Sequence, residues 1–236
     1  MPHGRLILVP AWLCEDIAPA VVVPAPVLAH IHALDTFVVE NARSARRFLA
    51  ACGHPLPMLA ITMAELNEHT PRDAVAALLA PALDGRDLGL LSEAGVPAVA
   101  DPGARLVAEA HARGVTVVPL VGPSSILLAL MASGLEGQRF RFVGYLPVET
   151  AKRRAAIADL ETQSARHAET QVFIETPYRN DALLADLIEA CRPATRLAVA
   201  AELTGPRESI RMDRIEGWKA RYEAIGKRPA IFLLLA

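Results

Sequence analysis

Cysteine is scarce in this chain. Cys14, Cys52 and Cys191 stand alone, with neither the paired spacing of a zinc-ligand set nor the even number of a disulfide framework. The seven histidines are as scattered, so no metal site is expected, and the simplest compartment is a reducing cytoplasm. Lysine is missing through Pro119, and that stretch carries fewer arginines than carboxylates. With a formal net charge of −2, neither half is a polycation, which excludes attachment to nucleic acid by bulk charge and leaves room only for a local patch. There is no G-x-G-x-x-G after the first strand pattern, no P-loop and no G-x-S-x-G. One uncharged run, 114–135, has the length of a membrane span. However, Pro119, Gly122, Pro123 and two serines divide it into strand, turn and short helix, and no membrane segment is expected. The first ten residues also lack a signal-peptide pattern.

What the chain does have is apolar material for two cores: 53% of residues are hydrophobic and only 21% are charged. Strand patterns at 5–10, 36–39, 58–62, 88–91 and 116–120 alternate with helical ones, which implies parallel sheets with helices on both faces. A second series follows at 140–144, 171–174, 196–201, 209–212 and 231–235. The reading is therefore α/β, with a short hinge at 120–122 separating domains 1–120 and 121–236.

The most informative segment is 91–103, LSEAGVPAVADPG, which places two glycines, two prolines and two carboxylates directly after a buried-strand pattern. Asp101 before Pro102 reads as a helix N-cap with proline at the first helical position, so the segment is strand, glycine loop, helix. Loops at the carboxyl ends of parallel strands are where α/β proteins hold ligands. A second such loop, Val121-Gly122-Pro123-Ser124-Ser125, leads into an apolar helix closed by Gly134.

These two loops together resemble the tetrapyrrole methylase superfamily of S-adenosylmethionine-dependent methyltransferases, especially the branch that methylates a ribose 2'-hydroxyl of small-subunit ribosomal RNA. The resemblance continues through Gly144-Tyr145-Leu146-Pro147, through Ile174-Glu175-Thr176-Pro177-Tyr178-Arg179 and through Ala200-Ala201-Glu202-Leu203-Thr204. The N-terminal third departs from that branch. Its polar P-T-P-I-G-N-like loop is replaced by Val9-Pro10-Ala11-Trp12-Leu13-Cys14, while Glu40 and Arg43 survive from its A-E-D-T-R motif.

The resemblance implies two α/β/α domains with mostly parallel sheets, a cofactor cleft between them, the substrate on the N-terminal side, the cofactor on the C-terminal side, and a homodimer. It places Pro10, Gly95, Val96, Pro97, Val99, Ser124, Ser125, Tyr178, Ala200, Ala201 and Leu203 at or beside S-adenosylmethionine. The backbone amides of Gly95, Val96 and Ser125 suit its carboxylate or ribose, and the alanines would admit the adenine edge closely.

A hydroxyl acceptor benefits from a base, for which Glu40, Glu93 and Asp101 are candidates, with Arg43 or Arg179 orienting an anionic substrate. Glu40 with Arg43 is the preferred catalytic pair. Asp101 also has a purely structural reading as a cap, and Glu175 one as a hydrogen-bond partner of a neighbouring loop.

Three functions follow: methylation of ribosomal RNA, methylation of a small molecule or tetrapyrrole lodged against Ala11-Trp12-Leu13, or cofactor binding without turnover. For the first, phosphate contacts are sought at Arg43, Arg46 and Arg47, and at Arg139, Arg141, Lys152, Arg153 and Arg154.

Overall fold

The computed structural model describes residues 2–236, which divide into two compact units, 2–124 and 125–236. The first unit runs β1 (Arg5–Val9), α1 (Ala25–His32), β2 (Thr36–Val39), α2 (Ala42–Ala51), β3 (Thr62–Glu65), α3 (Arg72–Val75), α4 (Ala80–Leu83), β4 (Leu88–Leu91), α5 (Gly103–Ala112) and β5 (Thr116–Pro119). Its five strands form one parallel sheet in the order β3-β2-β4-β1-β5. Interior strands β2 and β4, TFVV and LGLL, are buried at every residue, as parallel strands covered on both faces must be. The edge strands β3 and β5 are half-exposed, and the proline of β5 sits at its end, where no neighbour needs its missing N–H.

Alternation sends Ile7, Val9, Phe37 and Val39 to one face with Phe48 and Leu49 of α2, and Leu6, Val38, Leu88 and Leu90 to the other with Leu106 and Ala110 of α5. The strand expected at 58–62 is corrected: pairing begins only at Thr62, in register with Thr36, and Leu59 is 97% exposed. Residues 58–60 instead form a turn, in which the Ala60 N–H donates to Pro57 O at 2.8 Å.

The second unit runs α6 (Ser125–Ser133), β6 (Phe140–Tyr145), α7 (Thr150–His167), β7 (Thr170–Ile174), α8 (Asn180–Ala190), β8 (Arg196–Ala201), β9 (Ser209–Arg214), α9 (Ile215–Ala220) and β10 (Ala230–Leu235). Its sheet has the order β6-β7-β10-β8-β9. Here the expectation of a mostly parallel sheet is corrected, for only β6 and β7 are parallel, while β10 runs against both β7 and β8, and β9 against β8. The cause is connection length. The turn from β8 to β9 is too short for a crossover, and a strand that returns by a short turn lies antiparallel.

Beta10, AIFLLL, is buried throughout at the centre. Phe173 and Phe232 stack on the face covered by α7, α8 and α9, where Trp218 donates from Nε1 to the Leu197 carbonyl. Alternation sends Ala198 and Ala200 to the opposite face, against which α6 packs with Ala129 and Leu130. No helix of the described residues is long and apolar enough to cross a membrane.

Candidate active site

Register alone gathers the first unit's chemistry at one edge. Val9 and Val39 both lie opposite Leu91, and Val39 also lies opposite Glu65, so Pro10, Glu40, Ser92 and Leu66 all begin loops at the carboxyl edge of the sheet. The loops are tied to one another by backbone bonds: Ala11 N–H donates to Gly95 O, Gly95 N–H to Trp12 O and Glu40 N–H to Leu91 O. Gly95 has φ +72°, a conformation that glycine adopts without strain. Gly122 lies so close to Pro10 that an added Cβ would stand 2.1 Å from the proline Cβ, so only glycine lets these two loops meet. In the same loop Ala98 and Ala100 are held at φ +66° and +57°, each at a cost of about 1–2 kcal/mol.

Glu40 is half-buried at the end of β2, and its carboxyl is pushed above the usual range by burial first and then by Asp101, Glu93 and Glu68, with the Glu93 backbone N–H partly offsetting them. Four carboxylates thus share this edge. Asp101 is raised by burial, against backbone N–H groups from Gly103 and Ala98 that bond its Oδ1. It therefore closes the turn before α5, as its structural reading had it, although the helix begins one residue later than expected, at Gly103.

Asn41 caps α2 by accepting from the Arg43 and Ser44 amides, and Ser44 Oγ donates to Glu93 Oε1 at 3.0 Å. Arg43 stands exposed on the first turn of α2, and no hydrogen bond or ion pair joins it to Glu40 among the described residues. Glu68 escaped sequence reading, since only the ladder of β3 on β2 brings 66–68 beside Glu40.

The resemblance-assigned cofactor residues come from both units. In the first, Pro10, Gly95 and Pro97 are buried, Val96 and Ser124 are half-buried and Val99 is exposed. The Gly95 amide, expected to face the cofactor, is engaged by Trp12 O at 3.3 Å and closes the loop instead. In the second unit, Ser125 opens α6, Ala200 and Ala201 are buried in β8 and Leu203 is buried just beyond it. Tyr178 is 80% exposed, with the Lys227 ammonium 5.4 Å from its ring.

Beta7 and β8 end at the same edge as each other, since both run against β10. At that edge Glu175 accepts from Arg179, and Glu202 from Arg207 at 2.9 Å. Glu202 and Thr204 have φ +54° and +68°, and their buried Oε2 and Oγ1 have no hydrogen-bond partner among the described residues.

Two expectations about substrate contacts are corrected. Ala11 and Trp12 do not line an open slot: both are buried, and Trp12 packs edge-on to Phe48 in the core at 5.5 Å. The basic start of α7 is neutralised, with Lys152 on Glu149, Arg153 on Asp186 and Arg154 on both Asp186 and Glu189. Of the N-terminal group, Arg47 is paired with Glu15.

The sequence pattern of the tetrapyrrole (corrin/porphyrin) methylases matches residues 23–217. This chain belongs to that family. A ribosomal RNA small subunit methyltransferase I of Pseudomonas aeruginosa is 32% identical over 213 residues, covering 89% of this chain and 70% of the relative. One of Mesorhizobium japonicum is 37% identical over 158 residues, covering 67% and 52%, so the match spans about half the length of that methylase. Among solved structures, the methyltransferase CobJ shares the fold with a TM-score of 0.63 at 20% identity, covering 98% of this chain and 93% of its own.

Proposed function

We propose that this methylase transfers a methyl group from S-adenosylmethionine to small-subunit ribosomal RNA, at a ribose hydroxyl. The observation that carries the acceptor is the 32% identity over 213 residues to a relative named for that substrate. The residues present fit the cofactor. Two buried polar atoms beside Leu203, Glu202 Oε2 and Thr204 Oγ1, have no hydrogen-bond partner among the described residues, and the cofactor's ammonium and adenine amino group would supply donors for them. Bound there, S-adenosylmethionine would supply an activated methyl group on a sulfonium, already a good leaving group. In the second unit Ala200, Ala201 and Leu203 offer a small apolar wall.

Glu40 is the group suited to hold the acceptor's proton. Burial and the surrounding carboxylates raise its proton affinity toward that of a working base, and Arg43, exposed nearby in sequence and bound to no carboxylate among the described residues, is placed to meet a phosphate. Asp101 keeps the loop closed. A homodimer belongs to this reading, supported by Met131 of α6 with Ile210 and Met212 of β9, exposed at 78%, 38% and 45% on one side of the second sheet. So does a cytoplasmic location, where the ribosome is.

The test is transfer of labelled methyl from S-adenosylmethionine to small subunits lacking modifications, alongside thermal shift with the cofactor and its demethylated product. Label in a ribose, together with a rise in melting temperature for both ligands, is expected. A shift without label on RNA would overturn the acceptor; no shift at millimolar ligand would overturn the cofactor.

A further inference from the structure

A further basic stretch lies outside the groups that stand out in the sequence. Between Gly205 and Ala230 there are seven basic residues against four acidic ones, in a chain whose net charge is −2. These residues form β9, α9 and the segment that follows, at the outer edge of the second sheet. There an open groove of about 540 Å³ is bordered by Arg211, Arg221 and Tyr222, and a cavity of about 60 Å³ shares its Arg211 wall and reaches Ser209 and Arg228.

The cations are presented in two ways. Arg211 is held rigidly: its guanidinium lies 3.9 Å over the Trp218 ring and donates to the carbonyls of Arg221 and Gly217. Arg228 donates to two backbone carbonyls and to Ser209 Oγ, and meets no carboxylate among the described residues. Arg221 and Arg214, by contrast, are 78% and 62% exposed, Arg221 on Asp213 at 3.2 Å and Arg214 on Glu216 at 3.9 Å, pairs that solvent weakens. The carboxylates facing the groove are Asp213 and Glu223, and Asp213 is shared by Arg211 and Arg221. Tyr222 is 52% exposed beside these arginines.

Rigidly held and solvent-exposed guanidiniums with an exposed tyrosine are a combination that holds a phosphodiester chain and stacks an unpaired base. We propose that this groove grips the sugar-phosphate backbone of the RNA acceptor, with Tyr222 stacking a base beside it. The proposal rests on the ribosomal RNA reading above and names where the second unit meets that RNA.

The experiment measures binding of a small-subunit ribosomal RNA transcript at several salt concentrations for the full chain, for Arg214→Gln/Arg221→Gln, for Tyr222→Ala, and for a charge-matched control at two exposed positions of α7, Lys152→Gln/Arg166→Gln. The groove double variant is expected to bind about tenfold more weakly, with a salt slope lower by about 2, while Tyr222→Ala weakens binding with its slope unchanged. The control should keep the wild-type affinity, and melting temperatures should be alike. Inorganic phosphate at millimolar concentration should compete weakly if only a phosphate is recognised and not at all if the backbone is held at several points. Wild-type affinity and slope in both groove variants would overturn the groove while leaving the RNA reading intact. Failure of the unmutated chain to bind or methylate the transcript would overturn both.

Discussion

The carboxyl edges of the two sheets treat negative charge in opposite ways. In the first unit Glu40, Glu68, Glu93 and Asp101 face one another with no arginine among them, and the carboxyls of Glu40 and Asp101 are raised. In the second, Glu175 is held by Arg179 and Glu202 by Arg207, and deeper in that unit Asp186 is held by Arg153 and Arg154 and Glu161 by Arg192. Uncompensated carboxylates cost stability and keep their protons available, as catalysis requires. Compensated ones hold loops in place. The contrast teaches where to seek chemistry and where to seek scaffolding within one methylase.

The largest expected effect breaks the scaffold. Arg153 and Asp186 are almost wholly buried, with Nε donating to Oδ2 at 2.7 Å, so Asp186→Ala strands a buried guanidinium and should cost about 3–5 kcal/mol in denaturant unfolding. A loss below about 1 kcal/mol would mean that this charge finds water, and that the second unit is less compensated than described.

Glu40→Gln tests the other edge. Methyl transfer should fall about 10²–10⁴-fold while cofactor binding is retained, and an unchanged rate would leave the acidic edge with no catalytic meaning. The same variant sharpens the comparison through pH. A carboxyl raised in the folded state binds its proton more tightly there than in the unfolded chain. Stability from Glu40 is therefore greatest at low pH and declines as pH rises from the ordinary glutamate range through the raised value. Glu40→Gln should flatten that decline and raise the melting temperature at neutral pH. A steeper decline would reverse the sign argued here. The methyl-transfer rate of the unmutated chain should in turn rise with pH across the same window.

The smallest effect belongs to the surface. Lys152 and Glu149 are exposed partners at 2.8 Å, and Lys152→Ala should shift stability by less than about 0.5 kcal/mol. A larger change would place the start of α7 among the supporting pairs.

Most of the first unit was legible because each of its interior strands is a short, largely apolar run, which is how a parallel strand buried on both faces reads. Thr36–Val39 and Leu88–Leu91 were located to the residue for that reason. The strand at Thr62–Glu65 was missed because an edge strand needs only one buried face, so its pattern is weak and the neighbouring 58–62 run competes with it. Glu40 was legible from the resemblance, with Glu93 and Asp101 as candidates beside it; Glu68 was not, because it reaches Glu40 only through strand pairing.

What the sequence determined by itself is therefore local: which segments are apolar enough to be strands, where glycine, proline and asparagine turn or cap the chain, and which family those loops resemble. What only the tertiary structure decided is relational. It turned the second sheet mostly antiparallel, buried Trp12 against Phe48, cancelled the basic start of α7 with carboxylates some thirty residues away, and left the arginines of β9 and its neighbours facing a groove. Periodicity and capping act over a few residues, whereas the charge of a face and the proton affinity of a carboxyl depend on neighbours that only folding brings together.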